Sequence, residues 1–173
     1  DRDRCEGTIA EIAGVFAQTG RAAPDMMSVP CDITRPDQCA AMVQGAVARF
    51  GQIDALVNSA GIVESKGMLD IDAAGFETMV KINLTGAFNL CQSVLRQLVV
   101  QGNGSIVNIA SLAAQRGGGL VGGAHYASAK GGVVSLTRTI AREFGAQGIR
   151  ANIVCPAMVQ TAMIDGMEQG TMD

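Results

Sequence analysis

GSIVNIAS (104–111), RGGGLVGG (116–123), HYASAKGGVVSLTRTIAREFG (125–145) and GIRANIVCPA (148–157) follow one another along the chain. The segments SIVNIA and ANIVC carry apolar residues on both faces, as strands buried in a parallel sheet do. Between them lies a helical stretch that stops near Gly145. A strand, a crossover helix and a second strand of the same character make one parallel βαβ unit. Working outward, IDALVNSAG (53–61) reads as a strand running into a glycine turn, and MMSVPCD (26–32) as a short strand. Helices are expected over about 4–19, with Ile9, Ile12, Ala13 and Phe16 on one face, over 36–50, with Pro36 in the first turn, and over about 73–100. The alternation predicts one α/β domain over 1–173, an open parallel sheet with helices on both faces.

Composition removes several function classes. The 173 residues carry a net charge of −3, so nothing steers the chain toward nucleic acid or an anionic membrane. There is no Trp, one Tyr and five Phe, too few aromatics for a base-stacking surface. The five cysteines (Cys5, Cys31, Cys39, Cys91, Cys155) form no C-x-x-C pair and no ligand-like cluster. They read as reduced thiols of a cytoplasmic protein, buried as small hydrophobes, and no metal site is expected. No apolar run approaches membrane-spanning length and no signal peptide is visible.

In open parallel sheets, ligands bind outside the carboxyl ends of the strands. The residues at those ends here are Asp32; Asn58, Ser59, Ala60 and Gly61; Ser111; and Pro156 with Thr161 beyond it. Each alone is an ordinary turn residue. Four such exits on one edge point to a site. The long helix adds Asn83, which falls on the apolar stripe Phe76, Val80, Ala87, Leu90, Val94, Leu98. An Asn there needs partners for its amide, either in the core or at the site.

HYASAK (125–130) places Tyr126 and Lys130 one helical turn apart on one side. An ammonium beside a phenol favours the phenolate, and a phenol so tuned can act as a general acid/base. Y-x-x-x-K also occurs in many helices as a plain amphipathic pair. Here Ser111, at a strand exit just upstream, supplies a hydroxyl that could bond the same substrate oxygen.

Together CDIT, LVNSAG, KINLTGAFN, GSIVNIAS, HYASAKGGVVSLTR and GIRANIVCPAMVQT resemble the short-chain dehydrogenase/reductase (SDR) family, in the family's order and over nearly the whole chain. The resemblance implies a Rossmann-type doubly wound sheet and a nicotinamide cofactor. It implies Tyr126 as acid/base, Lys130 lowering its pKa and bonding the nicotinamide ribose, Ser111 orienting the substrate oxygen, and Asn83 holding a water in a proton relay. It further implies adenine contacts from Asp32 and Ile33. A wall beside the cofactor would come from Asn58, Ala60 and Gly61, and contacts to the nicotinamide amide from Pro156, Val159 and Thr161. Asp1 would bind the adenosine ribose and favour NAD, while Arg2 and Arg4 leave NADP open. Ser59 replaces the usual second Asn of N-N-A-G, and Ala157 the usual Gly after Pro156. The Ser111-to-Tyr126 loop is slightly long for the family.

No Gly-rich phosphate loop after a first strand occurs in these residues. The resemblance implies that the first strand and its loop precede Asp1, and that a last strand and helix follow Asp173. The expected reaction is hydride transfer between the cofactor and a secondary alcohol or ketone, of polyol dehydrogenase or 3-oxoacyl reductase type. Two other readings stay open: a non-catalytic family member or fragment with a binding or assembly role, and a nucleotide-sugar epimerase. The compact spacing and N-S-A-G argue against the epimerase. A homodimer or homotetramer is expected, with Val94, Leu98, Val99, Val134, Leu136 and Ile140 against a twofold mate.

Overall fold

The computed structural model describes residues 2–118 and 121–159. Three parallel strands, β1 (Ala55–Asn58), β2 (Gly104–Ile109) and β3 (Ile149–Val154), pair in that order. Helices α1 (Arg2–Gln18) and α2 (Pro36–Phe50) precede them. The β1–β2 crossover contains α3 (Ala73–Val80), a π turn (Lys81–Thr85) and α4 (Gly86–Gln101). The β2–β3 crossover contains the single turn α5 (Ala113–Arg116) and the long α6 (Ala124–Phe144). β2 is central, with Val107 registered on Val57 at one side and Asn152 at the other. Parallel pairing requires both long crossovers, and it brings all three carboxyl ends to one edge.

The strands are shorter than the sequence suggested, because their last residues leave the ladder to build loops. Past the ladder, the Ala110 N–H still donates to the Val154 carbonyl and the Leu112 N–H to the Pro156 carbonyl. Those two exits therefore run side by side. The strand expected at 26–32 does not form: the segment has no regular structure. A strand exists only through ladder bonds, and no described neighbour pairs with it.

One face of the sheet is covered. Ile106 and Ile149, with Leu56 and Ala151, meet Cys39 and Val43 of α2, Leu90, Cys91, Val94, Leu95 and Leu98 of α4, and Ile140 of α6. Val94, Leu98 and Ile140, expected at a subunit interface, are thus core residues. The apolar stripe that suggested an interface is used up by the sheet and the neighbouring helices. Val99, Val134 and Leu136 remain partly accessible. The opposite face is open to solvent among the described residues, with Val57 65% exposed and Arg150, Asn152 and Val154 also exposed.

The helix expected at 73–100 is one run interrupted by the π turn. Its start is capped by Asp72, whose carboxylate accepts from the Gly75 N–H at 2.7 Å. Its end is closed by Gly102 in the left-handed region, φ 73°. A π turn inserts one extra residue into the helix. The apolar stripe upstream is therefore out of step with the stripe downstream. Ala87, Leu90, Val94 and Leu98 are buried as expected, but Phe76 is 43% exposed and Met79 takes the inward position.

A buried polar chain ties the sheet to the helices. Asn58 Nδ2 donates to Asn108 Oδ1 at 3.0 Å, Asn108 Nδ2 to Thr137 Oγ1 at 3.0 Å, and Thr137 Oγ1 to the Val133 carbonyl at 2.7 Å. The Cys91 thiol also donates to Asn108 Oδ1, at 3.4 Å. Each buried group is satisfied only through its neighbour. Asn108→Ala should orphan the Asn58 amide and cost about 1–3 kcal/mol per unpaired group. A denaturant titration should show the lower midpoint, and an unchanged midpoint would contradict the role given to this network.

Candidate active site

A cavity of about 680 Å³ opens at the carboxyl edge of the sheet. Each strand contributes its exit: Ser59, Gly61 and Ile62 after β1, Ala110 to Ala113 after β2, and Pro156 to Val159 after β3. Helix α6 contributes Tyr126 and Lys130, and the π turn contributes Asn83. Ser111, Tyr126, Lys130 and Asn83, chosen on sequence from three separate segments, therefore meet around one space.

Tyr126 and Lys130 lie on the inward side of α6, 9% and 6% exposed. Helical spacing stacks them: Lys130 Nζ is 5.9 Å from the centroid of the tyrosine ring. The ammonium donates to the Ile109 carbonyl at 2.9 Å, the last of β2. Burial disfavours its charged form and pulls its pKa below the ordinary 10.5. The tyrosine ring rests on Gly122, where φ is 85° and a Cβ would lie 2.3 Å from Cδ1 of the ring. Any side chain there would be strained and would displace the phenol. Ser111 Oγ accepts from the Ala113 N–H at 3.1 Å, which fixes the hydroxyl at the foot of α5.

Asn83 explains its place on a buried face. Its Oδ1 accepts from the Ile62 N–H at 3.2 Å, and its Nδ2 donates to the Ile62 carbonyl at 3.0 Å and the Met79 carbonyl at 3.1 Å. One side chain thus grips both backbone polar groups of Ile62, in the loop after β1. Gly61 permits this approach, since a Cβ there would lie 2.5 Å from Asn83 Oδ1 and 3.3 Å from Lys130 Nζ.

Other expected residues lie elsewhere. Asn58 points into the core network and does not line the cavity. Ala60 is exposed beside the cavity, outside its lining; its N–H donates to Asn58 Oδ1 at 3.3 Å. Asp32 and Ile33 sit before α2, away from the lining. The Asp32 carboxylate accepts from the Thr34 N–H at 2.9 Å, and the threonine's bonds hold its pKa below the usual carboxylate value. Ile33 supports α4: its carbonyl accepts from Asn89 Nδ2 at 3.0 Å, and its side chain fills the space beside Gly86. Asp1 and Thr161 lie outside the described residues. No His, Cys, Asp and Glu cluster able to hold a metal occurs among the described residues.

The sequence reading passed over two neighbours of the site. His125, fully buried next to Tyr126, has Nε2 3.1 Å from Glu64 Oε2 and so ties the start of α6 to the loop after β1. Glu64 also bridges Lys66 at 3.0 Å, and these two partners hold its pKa low, His125 contributing most. Arg116, at the end of α5, lines the cavity. The signal for both was their adjacency in sequence, to Tyr126 and to the Gly-rich loop.

A family model described as short chain dehydrogenase matches residues 4–171. The chain belongs to the short-chain dehydrogenase family. It is 40% identical over 131 residues to the short-chain type dehydrogenase/reductase y4mP of Sinorhizobium fredii, covering 76% of this chain and 52% of that protein. It is 37% identical to a cis-4-hydroxycyclohexanecarboxylate dehydrogenase of Sinomonas cyclohexanicum, covering 93% and 65%. Among solved structures, a short-chain type dehydrogenase/reductase from Mycobacterium marinum superposes with a TM-score of 0.80 at 33% identity, covering 88% of this chain and 59% of that one. The chain thus spans between half and two thirds of the length of these relatives. The Rossmann-type fold implied by the resemblance is the fold of this family.

The residues fit a nicotinamide group on this chain's own geometry. Gly61 and Gly122 keep the cavity clear where a Cβ would close on Lys130, Asn83 or Tyr126. Lys130, Tyr126 and Ser111 all line the cavity and carry hydrogen-bond donors.

The buried ammonium has a measurable cost. Because the folded pKa of Lys130 is depressed, its charged form opposes folding at neutral pH. That cost fades as pH rises through the folded value and is gone above the ordinary 10.5. Lys130→Met should therefore be at least as stable as the parent at pH 7, with any advantage disappearing toward pH 10.5. Denaturant midpoints across that range test this, and a variant markedly weaker at pH 7 would contradict it.

Proposed function

We propose that the protein interconverts a secondary alcohol and a ketone by hydride transfer, with Tyr126 moving the proton on the substrate oxygen. The observation that carries the reading is the meeting of Ser111, Tyr126 and Lys130 at the exit of β2, around a space of small-molecule size. A nicotinamide cofactor, bound along Gly61 and Pro156 to Val159, would supply the hydride chemistry. NAD is the proposed form, on the acidic Asp1, with NADP as the alternative.

The rest of the work falls to side chains of this chain. Ser111 Oγ donates to the substrate oxygen and holds it near the phenol. Tyr126 takes the alcohol proton in oxidation or gives it back in reduction. Lys130, one turn from the ring and anchored on Ile109, bonds the cofactor ribose. Asn83 sets the loop after β1 by gripping Ile62. With its amide occupied there, a relay water would rest on the backbone of the π turn. The lining formed by Ile62, Leu112 and Met158 is apolar. Polyols and 3-oxoacyl groups are the two substrate kinds that the sequence suggests. The protein acts in the cytoplasm as a homodimer or homotetramer, a reading supported by its five free thiols and the accessible Val99, Val134 and Leu136.

In the intact protein, Tyr126→Phe should keep cofactor binding, followed by nicotinamide fluorescence, and lose about 10²–10⁴ in turnover. Turnover that survives the substitution would remove the phenol from the chemistry.

A further inference from the structure

Resting on that reading of the site, we propose that Arg116 makes it selective for an alcohol or ketone that carries a carboxylate remote from the reacting carbon.

The first ground is charge. Of the described residues lining the cavity, only Lys130 and Arg116 are charged, both are positive, and none is acidic. In a chain of net charge −3, a cationic lining is not the background. The two cations differ in their engagements. Lys130 is buried and bonded to the Ile109 carbonyl. Arg116 is exposed at the cavity, and no hydrogen bond or ion pair with a described residue engages its guanidinium. A guanidinium presents a planar fork that matches a carboxylate with two parallel bonds.

The second ground is position. The turn carrying Arg116 begins at Ser111: the Ala114 N–H donates to the Ser111 carbonyl, and the Gln115 and Arg116 N–H groups donate to the Leu112 carbonyl. With Ser111 Oγ capping the same turn, the offset from Ser111 to Arg116 is fixed by backbone bonds. Ser111 and Arg116 thus stand at opposite ends of one short turn, and the carboxylate is assigned to the end away from the oxygen held by Ser111, as in a 4-hydroxy or 4-oxo acid. Beyond Arg116 the chain continues as Gly117, with φ 80°, and Gly118, so no side chain of those two residues shields the guanidinium. Leu112, Ala113, Val121 and Met158 add apolar lining for the body of the molecule.

The test is equilibrium binding to the intact, cofactor-loaded protein, by calorimetry, of cyclohexanecarboxylate and of its neutral match cyclohexanecarboxamide. The carboxylate should bind at least about tenfold tighter, the scale of one charge-assisted contact. Arg116→Gln should erase that preference while leaving the affinities for the amide and for the cofactor unchanged. Equal binding of the two probes by the parent protein overturns the proposal. So does a preference that survives Arg116→Gln, or a variant that loses cofactor affinity, which would assign the guanidinium to the cofactor instead. Because this readout needs no turnover, a protein that selects the carboxylate yet oxidises no secondary alcohol would refute the proposed reaction and leave the anion site standing.

Discussion

The docking of α6 on the central strand is the constraint on which the rest of the site depends, and it sets the Lys130 ammonium on the final carbonyl of that strand. Lys130 would gain more solvation in water than it finds at the sheet edge, and burial depresses its pKa accordingly. It stays because α6 is held on the same sheet through Ile140 and through Thr137, which accepts from Asn108. Those contacts hold the helix independently of its lysine, and the tyrosine one turn away inherits its position. Sheet, helix and phenol form one chain of constraint, beginning with parallel pairing that collects the strand exits at one edge.

Two neighbouring devices serve the same end. Asn83 grips Ile62, and His125 reaches Glu64, so the loop after β1 is tied to both helical walls of the cavity. The glycines at 61 and 122 are the complementary requirement. Where side chains must come this close, a Cβ would occupy the space they use.

Much of this was legible in the sequence. Apolar runs at βαβ spacing gave β2, α6 and β3 within a few residues. Tyr126, Lys130, Ser111 and Asn83 could be chosen because each was chemically out of place in its element or stood at an exit. What escaped has physical causes. MMSVPCD has the composition of a strand, but strand formation depends on a neighbour, which composition does not encode. Asn58 looked like an exit residue, yet its side chain points into the covered face, because alternation along a strand decides direction and the register was unknown. Val94, Leu98 and Ile140 looked surplus to one sheet face, since the packing of α2 on α4 was not readable. Arg116 was lost inside a loop read only as glycine-rich.

The π turn at Lys81–Thr85 carries a consequence for how this helix tolerates change in length. An extra residue is an insertion, and an insertion can be undone. Dropping one residue there would restore a smooth helix with Met79 still inward, but would remove the turn that aims the Asn83 amide at Ile62. The helix would gain regularity and the cavity would lose a wall, so the irregular form marks where the demands of the site outrank those of the helix that bears it.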